Sequence, residues 1–165
     1  MRNLKIALWI ILLVLFEAMF GVYIKIGNIM PDLLFVFVLC YAVDKNTINS
    51  TITISAICGA LADCLSGRIF GTYLVIFLIS AVLIWIIKES IFKNSMLVAF
   101  LLVFLFSILG KSMYFVANIS VLKDMGYLYS LFRIILPEAV FNTFVGVFFI
   151  PLLRLTLKRR SGLYR

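Results

Sequence analysis

The 165-residue sequence contains no histidine. Without an imidazole there is no His-ligated zinc site, no histidine-activated nucleophile and no histidine proton relay. Cysteine is almost as scarce, because the chain has only Cys40, Cys58 and Cys64, all in apolar segments and without C-x-x-C spacing. Such cysteines are typical of buried, small apolar side chains. We therefore predict no catalytic residue, no cofactor and no metal-binding residue.

Charge is scarce as well. Charged residues make up 13% of the chain and hydrophobic residues 65%, whereas soluble domains have about 25% and about 45–50%. A short soluble chain has too little interior to bury this much apolar surface, so lipid is the expected solvent. The apolar runs are continuous rather than alternating, which favours helices over a membrane barrel. The predicted fold class is an all-α polytopic membrane protein.

The hydropathy pattern predicts a single integral membrane domain, residues 1–165, with about six transmembrane helices. The N-terminus has the basic start and apolar core of a signal peptide but no small-x-small cleavage site, so it is interpreted as an uncleaved helix. The second helix looks too short to span about 30 Å unaided, so it is either embedded between neighbours or extended backwards, and five spans result if it does not cross. The predicted helices are residues 4–20, 31–43, 47–65, 71–87, 95–117 and 137–157.

The positive charges predict the orientation. Six crossings leave both termini on one side, and 10 of the 15 lysines and arginines fall on that side. Because basic residues are retained in the cytoplasm, both termini are predicted to be cytoplasmic. Topology and contact with anionic lipid account for the excess of bases, so nucleic-acid binding is not expected.

Ionisable residues recur near the predicted outer ends of the helices. With a helical rise of about 1.5 Å per residue, Glu17, Asp63 and Lys111 reach similar heights, and Asp32 and Glu138 begin descending helices there. Charged groups inside a membrane usually face protein or water. We therefore expect these side chains, with the loop that carries Arg68, to form one polar layer.

The stretch GALADCLSG places Asp63 near the end of a helix, where the negative end of the helix dipole disfavours a carboxylate. We therefore expect a partner for it, with Arg68 and Lys111 as candidates. Either a structural ion pair or a contact with a partner or ligand fits this pattern. Small residues that allow another helix to approach closely recur beside it: Ala56, Gly59, Ala60 and Gly67.

The stretches MPDLL and LPEAVFN share one design. Pro31 and Pro137 are expected at first helical positions, each followed by an acid, Asp32 or Glu138, that favours a helix N-terminus. Asn142 then lies about one turn below Glu138 on the same helix face. We expect Asn142 to form a hydrogen bond to another helix.

Three stretches together, PDLLFVFV, GALADCLSGRIFG and LPEAVFN followed by PLLRLTLKRR, resemble in order and spacing the rod shape-determining protein MreD family. The resemblance implies a small subunit of the bacterial cell-elongation machinery in the cytoplasmic membrane. It also implies association with an MreC-like bitopic membrane protein, and support of sidewall peptidoglycan synthases and MreB filaments. A fold similar to the substrate-binding subunits of vitamin (energy-coupling factor) transporters is implied as well.

The resemblance assigns Asp63, Ser66 and Gly67 to its middle motif and Pro137, Glu138 and Asn142 to its late motif, where they would stabilise an outer cup or contact the partner. Glu17 departs from the family, in which a neutral polar residue is more usual. The full set of candidate partner-binding or structural residues is Glu17, Pro31, Asp32, Gly59, Asp63, Ser66, Gly67, Arg68, Lys111, Pro137, Glu138 and Asn142.

Three functions remain open from the sequence. The first is a non-enzymatic scaffold that assembles a wall-synthesis complex. The second is the substrate-binding membrane subunit of a vitamin or small-molecule importer, with Trp9, Tyr73 or Trp85 stacking on a ring. The third, a cofactor-free membrane enzyme, has few possible parts, namely Glu17, Asp63 and Lys111.

Overall fold

The computed structural model of the chain describes residues 2–20, 29–43, 47–67, 69–91, 96–118 and 127–157. The structural statements that follow concern these residues. Arg68, one of the candidate residues, lies outside them.

The chain forms six helices of at least 11 residues in the described residues, as the hydropathy pattern predicts. Three helical stretches are long and apolar enough to cross a membrane, namely Ile48–Ser66, Leu97–Ala117 and Leu131–Leu153. A four-residue α-helical segment, Tyr127–Ser130, and a π-helical segment, Leu131–Ile135, precede the last helix. The six helices are α1 (Arg2–Phe20), α2 (Leu33–Val43), α3 (Ile48–Ser66), α4 (Thr72–Ile91), α5 (Met96–Ala117) and α6 (Leu136–Leu157).

The periphery of the bundle is apolar. Leu4 of α1 is 76% exposed, Leu97 of α5 is 78% exposed and Leu155 of α6 is 80% exposed. Large apolar side chains on most helices share this exposure, which suits hydrocarbon rather than water. The surface therefore supports the assignment as a membrane protein.

Helix α2 lies at the centre of the bundle. All 11 of its residues are buried, and it packs against α1, α3, α4, α5 and α6. At about 1.5 Å per residue it is roughly 16 Å long, about half of the hydrocarbon thickness. A helix that is apolar on every side is a core helix. Of the two predicted alternatives, the structure therefore has the embedded one.

The start of α2 differs slightly from the prediction. The helix begins at Leu33 rather than at Pro31. Asp32 occupies the N-cap, since its carbonyl accepts a hydrogen bond from the Val36 backbone N–H at 2.9 Å. Its carboxylate accepts a hydrogen bond from the Phe35 backbone N–H at 2.9 Å. This satisfies one of the first-turn donors that a helix leaves without an internal acceptor. Pro31 is buried just before the cap.

The start of the last helix differs more. Pro137 was expected to open it, but helical structure begins at Tyr127 and continues through the π-helical segment into α6. The Leu136 backbone N–H donates to the Leu131 carbonyl, five residues earlier, and Pro137, which has no N–H to donate, follows directly. Glu138 lies in the first turn of α6, as predicted, but helical structure precedes that turn, so it is not a free helix N-terminus.

Helices α3 and α4 approach each other closely at Gly59. A Cβ atom added there would lie 2.6 Å from the Leu74 Cα atom and 3.1 Å from the Tyr73 carbonyl oxygen. Both are backbone atoms, so a rotamer change cannot make room. The expected close approach beside Asp63 is therefore present, and it requires glycine at position 59.

Candidate functional site

The charged candidates gather at one end of the bundle, where α1, α3 and α5 end and α2, α4 and α6 begin. We call this the polar end. It contains two hydrogen-bonded groups, one around Asp63 and one around Lys111, and one further acidic residue, Glu17, that is described separately. The five charged residues of this end are Glu17, Asp32, Asp63, Lys111 and Glu138.

Asp63, on α3, forms its side-chain hydrogen bonds with the backbone of Gly71 and of the first turn of α4. Asp63 is buried, with 2% of its surface exposed. Its carboxylate accepts hydrogen bonds from the backbone N–H groups of Gly71 at 2.9 Å and Tyr73 at 2.9 Å, and from Leu74 at 3.1 Å. First-turn N–H groups have no acceptor inside their own helix. Asp63 therefore caps α4 from the neighbouring helix, an arrangement we call the Asp63 cap.

The cap also explains how a carboxylate is stable near the C-terminal end of α3, where the helix dipole disfavours it. The carboxylate lies near the unfavourable end of α3 but directly at the favourable N-terminus of α4. The prediction that Lys111 pairs with Asp63 is wrong, because Lys111 forms an ion pair with Glu138 instead. Arg68, the other predicted partner, lies outside the described residues.

The turn between α3 and α4 positions this cap. The Ser66 hydroxyl donates to the Asp63 carbonyl at 2.9 Å. Gly67 ends α3 with φ of 60°, and Gly71 has φ of 100°, values that side chains with a Cβ atom disfavour. These glycines turn the chain so that the Gly71 N–H meets the carboxylate. The candidates Ser66 and Gly67 are thus parts of a turn.

The second group joins α2, α5 and α6, and we call it the polar cluster. Lys111 Nζ lies 2.7 Å from Glu138 Oε1 and 5.5 Å from the centre of the Tyr114 ring. Glu138 is 4% exposed, so this ion pair is largely removed from solvent. In such surroundings each charge depends on the other, because an unpaired buried charge is very costly.

Asn142 completes the polar cluster. Its Oδ1 atom accepts a hydrogen bond from the Asp32 backbone N–H at 3.1 Å, and its Nδ2 atom donates to Ser107 Oγ at 3.5 Å. The expected hydrogen bond from Asn142 to another helix is therefore present. Burial raises the pKa of the Asp32 carboxyl group, while the Lys111 ammonium and the Phe35 N–H oppose that rise.

The polar cluster encloses very little space. The cavity that it lines has a volume of about 10 Å³, which is close to the minimum for a single water molecule, about 10–15 Å³. Tyr73, a candidate for stacking on a ligand, instead packs 5.0 Å from the Tyr114 ring. The cluster as folded therefore links helices and leaves no room for a substrate.

Glu17, on α1, is the exception. Its Oε2 atom is buried and has no hydrogen-bond partner among the described residues. The Leu34 backbone N–H, in the first turn of α2, interacts with the same carboxyl group. The side chain borders a separate cavity of about 140 Å³, whose other lining residues are Phe16, Met30, Pro31, Leu33, Phe141 and Val145.

Two residues of the polar cluster, and a glycine that borders its cavity, were not predicted. Ser107 and Tyr114 lie four residues before and three after Lys111, so their spacing on one helix face was a usable signal. Gly110 carried no such signal. A Cβ atom there would lie 2.5 Å from the Phe35 ring, a contact between distant parts of the chain that sequence spacing does not show.

The comparisons with known proteins identify the family. The family described as rod shape-determining protein MreD matches residues 1–160. The chain therefore belongs to the MreD family. No curated protein matches the chain. No solved structure matches it either, so the predicted similarity to the substrate-binding subunits of vitamin transporters is not supported.

Proposed function

We propose, from its membership of the MreD family, that the protein is a non-enzymatic membrane scaffold of the bacterial cell-elongation machinery. In this role it maintains rod cell shape by supporting sidewall peptidoglycan synthesis together with an MreC-like bitopic membrane protein. Peptidoglycan synthases and MreB filaments are direct or indirect partners, and lipid surrounds the apolar periphery.

The observation that favours a scaffold is the closed polar cluster. Its charged and polar groups bond to one another, as in the pair Lys111–Glu138 and the contact of Asn142 with Asp32. The enclosed volume is about 10 Å³, whereas small-molecule sites usually have about 300–1,000 Å³. A cluster of this kind fixes the relative positions of helices, which a scaffold needs. The importer alternative has no comparable support at this end.

The proposed location is the bacterial cytoplasmic membrane, with both termini in the cytoplasm. Its support is the charge distribution, because 10 of the 15 basic residues fall on the side of the termini when six helices cross. The polar end then faces outwards, towards the compartment in which the cell wall is built. A partner with a large outer domain would reach this end directly.

The test is a pull-down in mild detergent from the native membrane, followed by identification of the co-purifying proteins. We expect a bitopic protein with a large outer domain, together with wall synthases. Paired ATPase subunits with a coupling membrane protein would instead identify an importer subunit and contradict the proposal. Rounding of cells after depletion of the protein, reversed by re-expression, is the matching expectation in vivo.

A further inference from the structure

Glu17 has an incomplete set of interactions. Its Oε2 atom is buried without a hydrogen-bond partner among the described residues. Leaving a buried polar atom unsatisfied normally destabilises a protein, and native structures rarely retain one without a reason. The atom belongs to a residue that borders the cavity of about 140 Å³ between α1, the start of α2 and α6. We call this the Glu17 cavity.

The charges around Glu17 are also unbalanced. Asp32 and Lys111 act electrostatically on Glu17, but the Lys111 ammonium lies 2.7 Å from Glu138. Among the residues that the structure describes at this end, Glu17, Asp32 and Glu138 thus share the ammonium group of Lys111. Arg133, also described at this end, is exposed and lies over the Tyr129 ring at 5.8 Å. The surroundings of Glu17 therefore favour an additional positive charge.

The Glu17 cavity suits a side chain with an apolar stem. Apart from Glu17 its lining side chains are apolar, and a cavity of about 150 Å³ accommodates a group the size of benzene. Lysine and arginine combine a long apolar stem with a cationic head. Such a stem fits the apolar lining while the head reaches the carboxyl group.

The neighbouring surface suits a helix. Met19 of α1 is 64% exposed, and Val140 and Phe144 of α6 are 58% and 62% exposed. These large apolar side chains lie on α1 and α6, two of the helices that border the cavity. A transmembrane helix packed along them would hold its own side chains at the level of the cavity.

We propose that the Glu17 cavity receives a lysine or arginine side chain from a transmembrane helix of the protein's partner. The head of that side chain forms an ion pair with Glu17 and satisfies its Oε2 atom. This inference rests on the proposed function, since the partner helix is that of the MreC-like bitopic protein. It specifies where on this protein the partner helix binds, that the partner contributes a lysine or arginine, and at what level in the membrane that residue lies.

The first experiment measures complex formation. The protein and its MreC-like partner are co-expressed, and the amount of partner that co-purifies in mild detergent is compared for wild type, Glu17→Gln and Leu15→Ala. Leu15 is a matched control on α1, because it is 55% exposed and does not border the cavity. We expect Glu17→Gln to reduce the complex at least about tenfold, as for a desolvated charge pair that loses one member, and Leu15→Ala to retain it.

The second experiment identifies the opposing residue. A photoreactive amino acid at Val145, which lines the cavity, is cross-linked in the membrane and the product is mapped by mass spectrometry. We expect a product within one helical turn of a lysine or arginine in the partner's transmembrane helix. Reversal of both charges, Glu17→Lys with that base changed to glutamate, should restore the complex.

The outcomes separate this inference from the proposed function. If the wild-type protein does not retain the MreC-like partner, the proposed function itself fails. If the wild-type protein retains the partner and Glu17→Gln retains it equally well, only the assignment of the Glu17 cavity is wrong. A cross-link solely to lipid overturns the assignment. So does a cross-link solely to the chain's own segment with Lys25, which lies outside the described residues.

Discussion

Asp63 and Glu17 are carboxylates at the same end of the bundle. Asp63 lies near the end of α3, beside the start of α4, and Glu17 lies near the end of α1, beside the start of α2. Asp63 accepts hydrogen bonds from three backbone N–H groups at the start of α4, those of Gly71, Tyr73 and Leu74. Glu17 retains a buried oxygen atom without a partner in the described residues. A carboxylate whose hydrogen bonds are all formed within the chain stabilises the fold. One whose bonds are incomplete is available to another molecule, and variants of this end can test that difference.

The largest effect is expected where a buried charge loses its partner. Lys111→Met leaves Glu138 without its ammonium at 2.7 Å, which should lower the free energy of unfolding by about 3–5 kcal/mol. The double variant Lys111→Met with Glu138→Leu should recover most of that loss, because no unpaired charge remains. Unfolding followed in detergent checks both. Equal destabilisation by the single and double variants would contradict the pairing.

Removal of the Asp63 cap comes next. Asp63→Ala leaves three backbone donors without their acceptor, Gly71 before α4 and Tyr73 and Leu74 in its first turn. We expect a loss of about 2–4 kcal/mol in the free energy of unfolding. Less protein should accumulate in the membrane, and less of it should assemble with its partner. No change in a catalytic rate is expected, because the proposed role is non-enzymatic. Asp63→Asn keeps one carbonyl acceptor and should lose about half as much. Wild-type stability in Asp63→Ala would show that the three bonds do not stabilise α4.

A smaller effect is expected at the contact between α3 and α4 that supports this cap. Gly59→Ala places a Cβ atom 2.6 Å from the Leu74 Cα atom, and the helices must separate at a cost of about 1–3 kcal/mol. Gly146→Ala is the matched control, since its nearest neighbour would be a side-chain atom of Val103 at 3.4 Å. That variant should be neutral or more stable. Equal melting temperatures for the two variants would argue against the close approach.

The smallest effect on stability is expected at Glu17. Glu17→Gln removes a charge but no hydrogen bond to Oε2 among the described residues, so the free energy of unfolding should change by less than about 1 kcal/mol. Thermal unfolding of the purified protein without its partner is the measurement. A loss as large as that of Asp63→Ala would show that Glu17 stabilises the fold as well.

The sequence predicted the six helices, because continuous apolar runs have a clear length and spacing. It also predicted the common level of Asp32, Lys111 and Glu138, since helical rise converts residue number into height. It did not predict the partner of Asp63. Charge pairing directs attention to other side chains, whereas the actual donors are backbone N–H groups brought near by the turn at Gly71.

Other features depended on contacts between distant residues. The contact that excludes a side chain at Gly110 involves Phe35 of another helix, and nothing near either residue in the sequence indicates it. The π-helical segment Leu131–Ile135 has an ordinary apolar composition, so the helix start was assigned to Pro137 instead. Local sequence patterns therefore indicated the helices and the heights of the charged side chains. The contact partners at the polar end could be identified only from the folded structure.

The most direct test compares Asp63→Asn and Glu17→Gln in the same detergent, with melting temperature and retention of the MreC-like partner measured on each preparation. We expect Asp63→Asn to melt at a clearly lower temperature than wild type. Glu17→Gln should melt as wild type does but lose the partner. If Glu17→Gln melts as low as Asp63→Asn, or keeps the partner fully, the distinction between a carboxylate of the fold and one of the interface is wrong.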